Sequence, residues 1–181
     1  MLNDPLLSQI VFIDIQEKLV DVMIKNEIKE VIDASSILIQ AAKILEVPCL
    51  HTEQYPKGLG PTVKKLKSLL PNAPIEKKAF SCLDEPNFKS HLVKSRSQII
   101  LCGLETHICI LQTALALKAS GKDVFVVEDA TLSRSNLNHQ NAIHRLRSEG
   151  VVITNKESVI FEWLRVAEGD HFKAVSQLIK S

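Results

Sequence analysis

The chain has 181 residues and a mass of 20.2 kDa, the size of one ordinary domain, and 45% of its residues are hydrophobic, enough material to bury roughly 70% of the unfolded surface. Lysine and arginine total 22 against 21 acidic residues, interspersed without long blocks of one sign, which argues against nucleic acid as a partner. Apolar stretches of about six residues fall short of the roughly 20 that a membrane-spanning helix needs, and the opening MLNDPLLSQ has no basic leader. Cys49, Cys82, Cys102 and Cys109 form no CxxC pair, so neither a zinc pattern nor a disulfide framework is expected, and a reducing, cytoplasmic setting is.

Ile10 to Ile13 reads as a first buried strand. Apolar residues from Ile28 to Leu45 recur at three- and four-residue steps and predict a helix over Glu27 to Glu46, stopped by Pro48. Cys49 to Thr52 is strand two, followed by the Gly/Pro-rich loop HTEQYPKGLGPT, a short helical segment through Leu70 and a short third strand near Ile75. Gln98 to Cys102 is strand four, Gly103 to Thr106 a tight connection, and Cys109 to Ala119 a helix stopped by Gly121. Val124 to Val127 is strand five, 137–149 a helix, Val151 to Ile153 strand six, and 156–166 and 170–180 are closing helices. The alternation predicts one α/β domain over 1–181: a doubly wound, mainly parallel six-stranded sheet with helices on both faces, in three layers.

Residues 14–20, DIQEKLV, contain no glycine, Gly58 and Gly60 are followed by Pro61, and neither GxxxxGK nor GxSxG occurs. These absences argue against nucleotide binding and a serine-hydrolase elbow. In a doubly wound sheet the informative polar groups lie just past the C-terminal strand ends. Asp14 ends strand one, Lys77 or Lys78 ends strand three, and Cys109 lies on the first turn after strand four. With Thr106 as N-cap, Cys109 falls at the third helical position, where the helix dipole favours thiolate over thiol. Asp14 would take the thiol proton, a lysine would keep that carboxylate ionised, and N–H groups between Leu104 and Cys109 would receive an oxyanion. Each residue also has a plainer reading: Asp14 as a strand-end cap, Lys77 and Lys78 as a solvated pair, Thr106 as a cap alone and Cys109 as an inert buried thiol.

Five segments, VFIDIQEKL, TEQYPKGLGPT, KKAFS, ILCGLETHICIL and VFVVEDATLSRS, give the chain a pattern that resembles the isochorismatase-like cysteine hydrolases over roughly residues 8–178. The resemblance implies the fold above and a catalytic triad of Asp14, Lys77 and Cys109. Cys109 stands six residues after Gly103, and Lys77 is selected by counting back three from the Phe80-Ser81 pair. It further implies a cis peptide between Leu104 and Glu105, with the Glu105 and Cys109 amides forming the oxyanion hole.

Departures from the family pattern narrow the chemistry. Nicotinamidase-like members carry an Asp and His metal cluster after strand two, whereas this chain has Gln54 and Pro56 there; no metal and no cofactor is expected, His51 and Glu53 lacking a third ligand. Isochorismatases with a carrier domain tend to lack the cysteine that this chain keeps. The TEQYPKGLGPT loop looks most like the isochorismatase-domain-containing protein branch, and the expected reaction is hydrolysis of a small amide or carbamoyl compound through a thioester. Tyr55, Phe80 and Leu104 are candidate pocket walls. The competing reading is a catalytically idle member of the fold that acts as a protein-interaction module.

Other features have plainer expectations. His107 points about 160° away from Cys109 on a helix and reads as a surface or interface residue, and His139, His144 and His171 read as solvated. Cys102 reads as an inert core thiol, while Glu128, Asp129 and Arg134 would support the crevice or a subunit contact. Homo-oligomerisation is expected, with the stretch VIFEWL serving as interface or core.

Overall fold

A computed structural model describes residues 1–180. The apolar runs become strands because alternate side chains feed two separate cores. Ile10 and Phe12 face one core while Val11 and Ile13 face the other, and Phe125 and Val127 oppose Val124 and Val126 in the same way. Strands β1 (Ser8–Ile13), β2 (Cys49–Gln54), β3 (Ile75–Lys77), β4 (Gln98–Leu104), β5 (Asp123–Leu132) and β6 (Val152–Thr154) pair in parallel in the order β3-β2-β1-β4-β5-β6. The expectation of a doubly wound α/β sheet with helices on both faces holds, and every strand pairing in it is parallel.

Helices α2 (Lys25–Ile44), α8 (Lys156–Leu164) and α9 (Gly169–Lys180) cover the first face, and α5 (Pro86–His91), α6 (Leu111–Ala119) and α7 (Asn136–Ser148) the second. Short helices α1 (Glu17–Asp21), α3 (Pro56–Leu59) and α4 (Lys64–Lys67) lie in the connections around β2. The Gly/Pro-rich segment after β2 is therefore partly helical, because Pro56 at its first position is preorganised for a helical turn. Val159, Ile160 and Trp163 of VIFEWL enter the core, and Trp163 Nε1 donates to Ser8 Oγ at 3.1 Å, while Phe161 stays exposed. Among the described residues no helix is long and apolar enough to cross a membrane.

Strand five extends well past Val127. After Val126 the pairing with β4 shifts register and resumes at Thr131 and Leu132, opposite Gly103 and Leu104. Glu128 and Asp129 thus lie within the strand, and Asp129 accepts from the Lys156 N–H at 2.8 Å and pairs with its ammonium at 3.2 Å, anchoring α8.

The strand order reverses between β1 and β4, and in such sheets the crevice opens at the carboxyl ends of the two strands flanking that reversal. Gly103 makes this junction tight: its φ is +121°, and a Cβ there would lie 2.0 Å from the Ile13 carbonyl oxygen. We predict that Gly103→Ala destabilises the fold by about 2–4 kcal/mol, because both its backbone region and that contact exclude a side chain. Urea unfolding checks this, and an unchanged midpoint would show that β1 and β4 can part at no loss.

Candidate active site

Asp14 follows β1 in a left-handed conformation, φ +52°, a region aspartate tolerates better than bulky residues do. Its N–H donates to the Thr52 carbonyl at 3.2 Å, so the β1–β2 ladder holds the turn. The carboxylate is fully buried: Thr52 Oγ1 donates to Oδ1 at 2.7 Å, and Lys77 Nζ lies 2.7 Å from Oδ2.

Lys77 and Lys78 separate cleanly, because adjacent strand residues point to opposite faces. Lys77 is 3% exposed and faces Asp14, whereas Lys78 is exposed and offers its backbone N–H to Glu85 Oε1 at 2.7 Å. The Lys77 ammonium also meets Gln54 Oε1 at 2.5 Å, the Ala79 and Phe80 carbonyls at 3.2 and 3.3 Å, and Cys109 Sγ at 3.5 Å. Burial works against its charge, but the fields of Asp14 and Cys109 outweigh that and raise its pKa above the ordinary lysine value.

Cys109 sits on a π-helical turn, Thr106–Ile110, that leads into α6. The Ile110 N–H reaches back five residues to the Glu105 carbonyl at 3.3 Å, and such π turns recur at functional sites. The peptide joining Leu104 to Glu105 is cis. Two expectations change here. Thr106 is the first residue inside the turn rather than its N-cap; Glu105 precedes the turn, and no side chain caps it. Cys109 is no thiolate at rest: burial, then the Asp14 carboxylate, push its thiol up to about 12, and Lys77 offsets this only in part. A helix N-terminus favours thiolate only when water or an unmatched cation supplies the remaining stabilisation, and here the cation is already matched by Asp14.

The three side chains ahead of the cysteine tie its turn to the segment after β5. Glu105 Oε2 accepts from the Arg134 N–H at 3.0 Å and lies 3.6 Å from its Nε. Thr106 Oγ1 lies 2.9 Å from His139 Nδ1, and Ser133 Oγ lies 2.9 Å from His107 Nδ1. His107 and His139 are thereby structural partners of the turn rather than free surface groups; burial lowers the pKa of His139 against the pull of Glu128 and Glu27.

The predicted pocket walls fare unevenly. Leu104 is fully buried in the core on the α2 face, so it does not line the site, because the strand alternation that places Gly103 against Ile13 turns the next side chain away. Phe80 is exposed and contributes its carbonyl to the lysine. Tyr55, at φ +38°, lays its ring over Gly58, where an added Cβ would meet the ring at 2.5 Å, and with Lys77 and Glu85 it lines a cleft of about 380 Å³. Glu53 Oε1 accepts from the N–H and hydroxyl of Thr62, at 2.7 and 2.8 Å, and His51 is a buried imidazole whose pKa burial lowers.

Sequence reasoning missed Thr52, Gln54 and Gln16. Gln16 is fully buried and binds both backbone groups of Gln54, accepting from its N–H at 2.7 Å and donating to its carbonyl at 3.0 Å. Their polar character in a strand-loop junction was the available signal; their partners are set by tertiary pairing.

The isochorismatase domain model matches residues 8–158. The chain belongs to the isochorismatase family. A secreted isochorismatase effector of Phytophthora sojae is 40% identical over 161 residues, covering 85% of this chain and 76% of that protein. Isochorismatase domain-containing protein 2A of Mus musculus is 39% identical over 154 residues, covering 83% and 73%. The solved structure of a Caenorhabditis elegans protein described as MAR1 ribonuclease superposes with a TM-score of 0.93 at 37% identity, covering 100% of this chain and 93% of that one. For this isochorismatase-family chain the comparisons support a hydrolase fold.

Burial raises every thiol of this family member: Cys49 and Cys109 to about 12, Cys82 to about 11, and Cys102 well above the ordinary range. The unfolded chain releases these protons near an ordinary thiol pKa while the folded chain keeps them, so the folded state binds more protons above about pH 9. Stability must therefore fall as pH rises through that window, each thiol contributing about 1.4 kcal/mol per pH unit. Lys77 acts in the same sense, its contribution being complete below the ordinary lysine pKa and lost as pH climbs through the raised one. Urea midpoints should hold to about pH 8.5 and then drop, with Cys49→Ala and Cys102→Ala each flattening the slope; a midpoint constant to pH 10.5 would contradict this protonation picture.

Proposed function

We propose that this chain hydrolyses the C–N bond of a small carbonyl compound, an amide or a carbamoyl group, with Cys109 as nucleophile, Asp14 as proton carrier and Lys77 as a fixed charge. The observation that supports this reading is one continuous buried chain of contacts, Asp14 Oδ2 to Lys77 Nζ at 2.7 Å and Lys77 Nζ to Cys109 Sγ at 3.5 Å, that runs from the ends of the two strands flanking the switch point to the end of β3.

The protonated resting thiol sets the order of events. As Sγ attacks the carbonyl carbon, its proton passes to Asp14 and the carbonyl π pair moves to oxygen, where the Glu105 and Cys109 amides receive the oxyanion. Collapse of the tetrahedral intermediate breaks the C–N bond, and Asp14 returns the proton to the leaving nitrogen, leaving a thioester on Cys109. Asp14 then takes a proton from water, hydroxide adds to the thioester, and the second collapse expels the sulfur, which recovers its proton as the acid leaves. Lys77 moves no proton in this scheme: the Asp14 carboxylate holds it charged, and its field counters the negative charge that develops on sulfur.

Ribonuclease chemistry, as the C. elegans relative is described, calls for cations free to neutralise a phosphodiester. The buried ammonium here is already matched by a carboxylate, and Cys109 is 6% exposed; both features favour a compact, neutral carbonyl group over a polymer.

The expected result is ammonia or amine release from members of a panel of small amides and carbamoyl compounds, with an acyl adduct on Cys109 in the quenched reaction. Cys109→Ala and Asp14→Asn should each lower turnover by about 100-fold or more. RNA cleavage lost in Cys109→Ala, with no amide turned over, would overturn the carbonyl assignment. Turnover indifferent to Cys109→Ala would overturn the nucleophile, and no turnover, with Cys109 alkylation indifferent to Asp14→Asn, would leave the interaction-module reading.

A further inference from the structure

We propose that Gln54 is a positioning residue for Lys77, an uncharged clamp that fixes the ammonium between Asp14 and Cys109 while keeping the site at one buried carboxylate per buried ammonium. The inference rests on the hydrolase reading above and assigns that site a component outside the triad.

The register of the sheet creates the contact, since Gln54 and Lys77 are facing partners in the β2–β3 ladder. An ammonium has three hydrogens to place, and the shortest polar contact of Lys77 is the one to Gln54 Oε1, at 2.5 Å. The Ala79 and Phe80 carbonyls and Cys109 Sγ all lie at 3.2 Å or beyond. Without Gln54, Asp14 would be the sole close anchor, and the ammonium would pivot about that one contact.

The amide is itself immobilised. Its Nε2 donates to the Lys78 carbonyl at 2.7 Å, and because a carbonyl only accepts and an ammonium only donates, the amide has one orientation that satisfies both ends. Gln16, two residues past Asp14, grips the backbone of Gln54 at both its N–H and its carbonyl and reaches the Gly60 carbonyl at 2.7 Å. The clamp is thus braced against the strand end that carries Asp14.

Charge explains why an amide suits this position. A carboxylate of the same shape would offer Lys77 a second anion, draw it from Asp14 and add negative charge beside a thiol that must ionise in the reaction. The titratable groups around that thiol are Asp14 after β1, Lys77 on β3, and Cys82 on the turn before α5, with Lys78 and Glu85 outside them. An amide adds an acceptor to this set and leaves its charge unchanged.

The test is the rate of iodoacetamide alkylation at Cys109 between pH 7 and 10.5, read by mass spectrometry in wild type, Gln54→Glu, Gln54→Leu and Lys77→Ala, with thermal unfolding as the fold control. Gln54→Glu should displace the rate curve upward by about one pH unit or more, about tenfold slower at fixed pH. Gln54→Leu, which loses the anchor without adding charge, should displace it upward by less. A purely structural role gives the opposite order, because glutamate keeps the shape and an acceptor while leucine keeps neither. An unmoved curve in either folded variant, or a larger effect of leucine than of glutamate, overturns the clamp. Where Lys77→Ala moves the curve and neither Gln54 variant does, only this inference fails; where Lys77→Ala is also without effect, the triad reading fails with it.

Discussion

A carboxylate and an ammonium 2.7 Å apart, both shut away from water, impose the central demand on this structure. Taking two charges out of solvent is expensive, and their attraction repays it only where the remaining donors and acceptors are satisfied. Much of the polar architecture around the strand ends answers that demand. Thr52 serves Oδ1 of Asp14, the oxygen that Lys77 does not approach, and the Gln54, Ala79 and Phe80 oxygens surround the Lys77 ammonium. The pair is weak evidence for stability, since removing either partner strands a buried charge at a cost of about 3–5 kcal/mol. Its meaning lies in what it does to the sulfur beside it.

That sulfur is carried on a turn built for rigidity. Glu105, Thr106 and His107 each engage the segment that follows β5, so a change on either side is felt on the other. The late extension of β5 brings this about: the strand departs from β4 after Val126, returns beside Gly103 and Leu104, and delivers Ser133 and Arg134 to the turn. On the proposed reading, preorganisation of this kind spares the site from reorienting dipoles during the reaction.

Much of this was legible in the sequence, for reasons that also explain what was not. Asp14 and Cys109 stand at fixed offsets from strand ends, and strand ends announce themselves through apolar runs. The choice between Lys77 and Lys78 depends on which face of a three-residue strand is buried, a matter settled by pairing with β2. In the sequence Gln54 shows only as a departure from a metal-ligand pattern, and its bond to Lys77 stays hidden because that partner lies 23 positions away. The protonation of Cys109 was misread because position on a helical turn is visible in sequence while burial and a neighbouring carboxylate are not. Glu128 and Asp129 mimicked a strand end, and only the register with β4 reveals that the strand continues.

The topology has a bearing on synthesis. β1 emerges early yet lies at the centre of the sheet, and its partner across the switch point begins at Gln98, some 90 residues later. Asp14, Lys77 and Cys109 come from three stretches that no local element joins. Pairing of this range is slow to form and leaves apolar strands waiting in the nascent chain. A growing polypeptide therefore holds the three side chains apart: the thiol, the carboxylate and the ammonium that links them meet only once the middle of the sheet has closed. On the proposed reading, chemical competence is thus a late signal that the chain has folded as a whole.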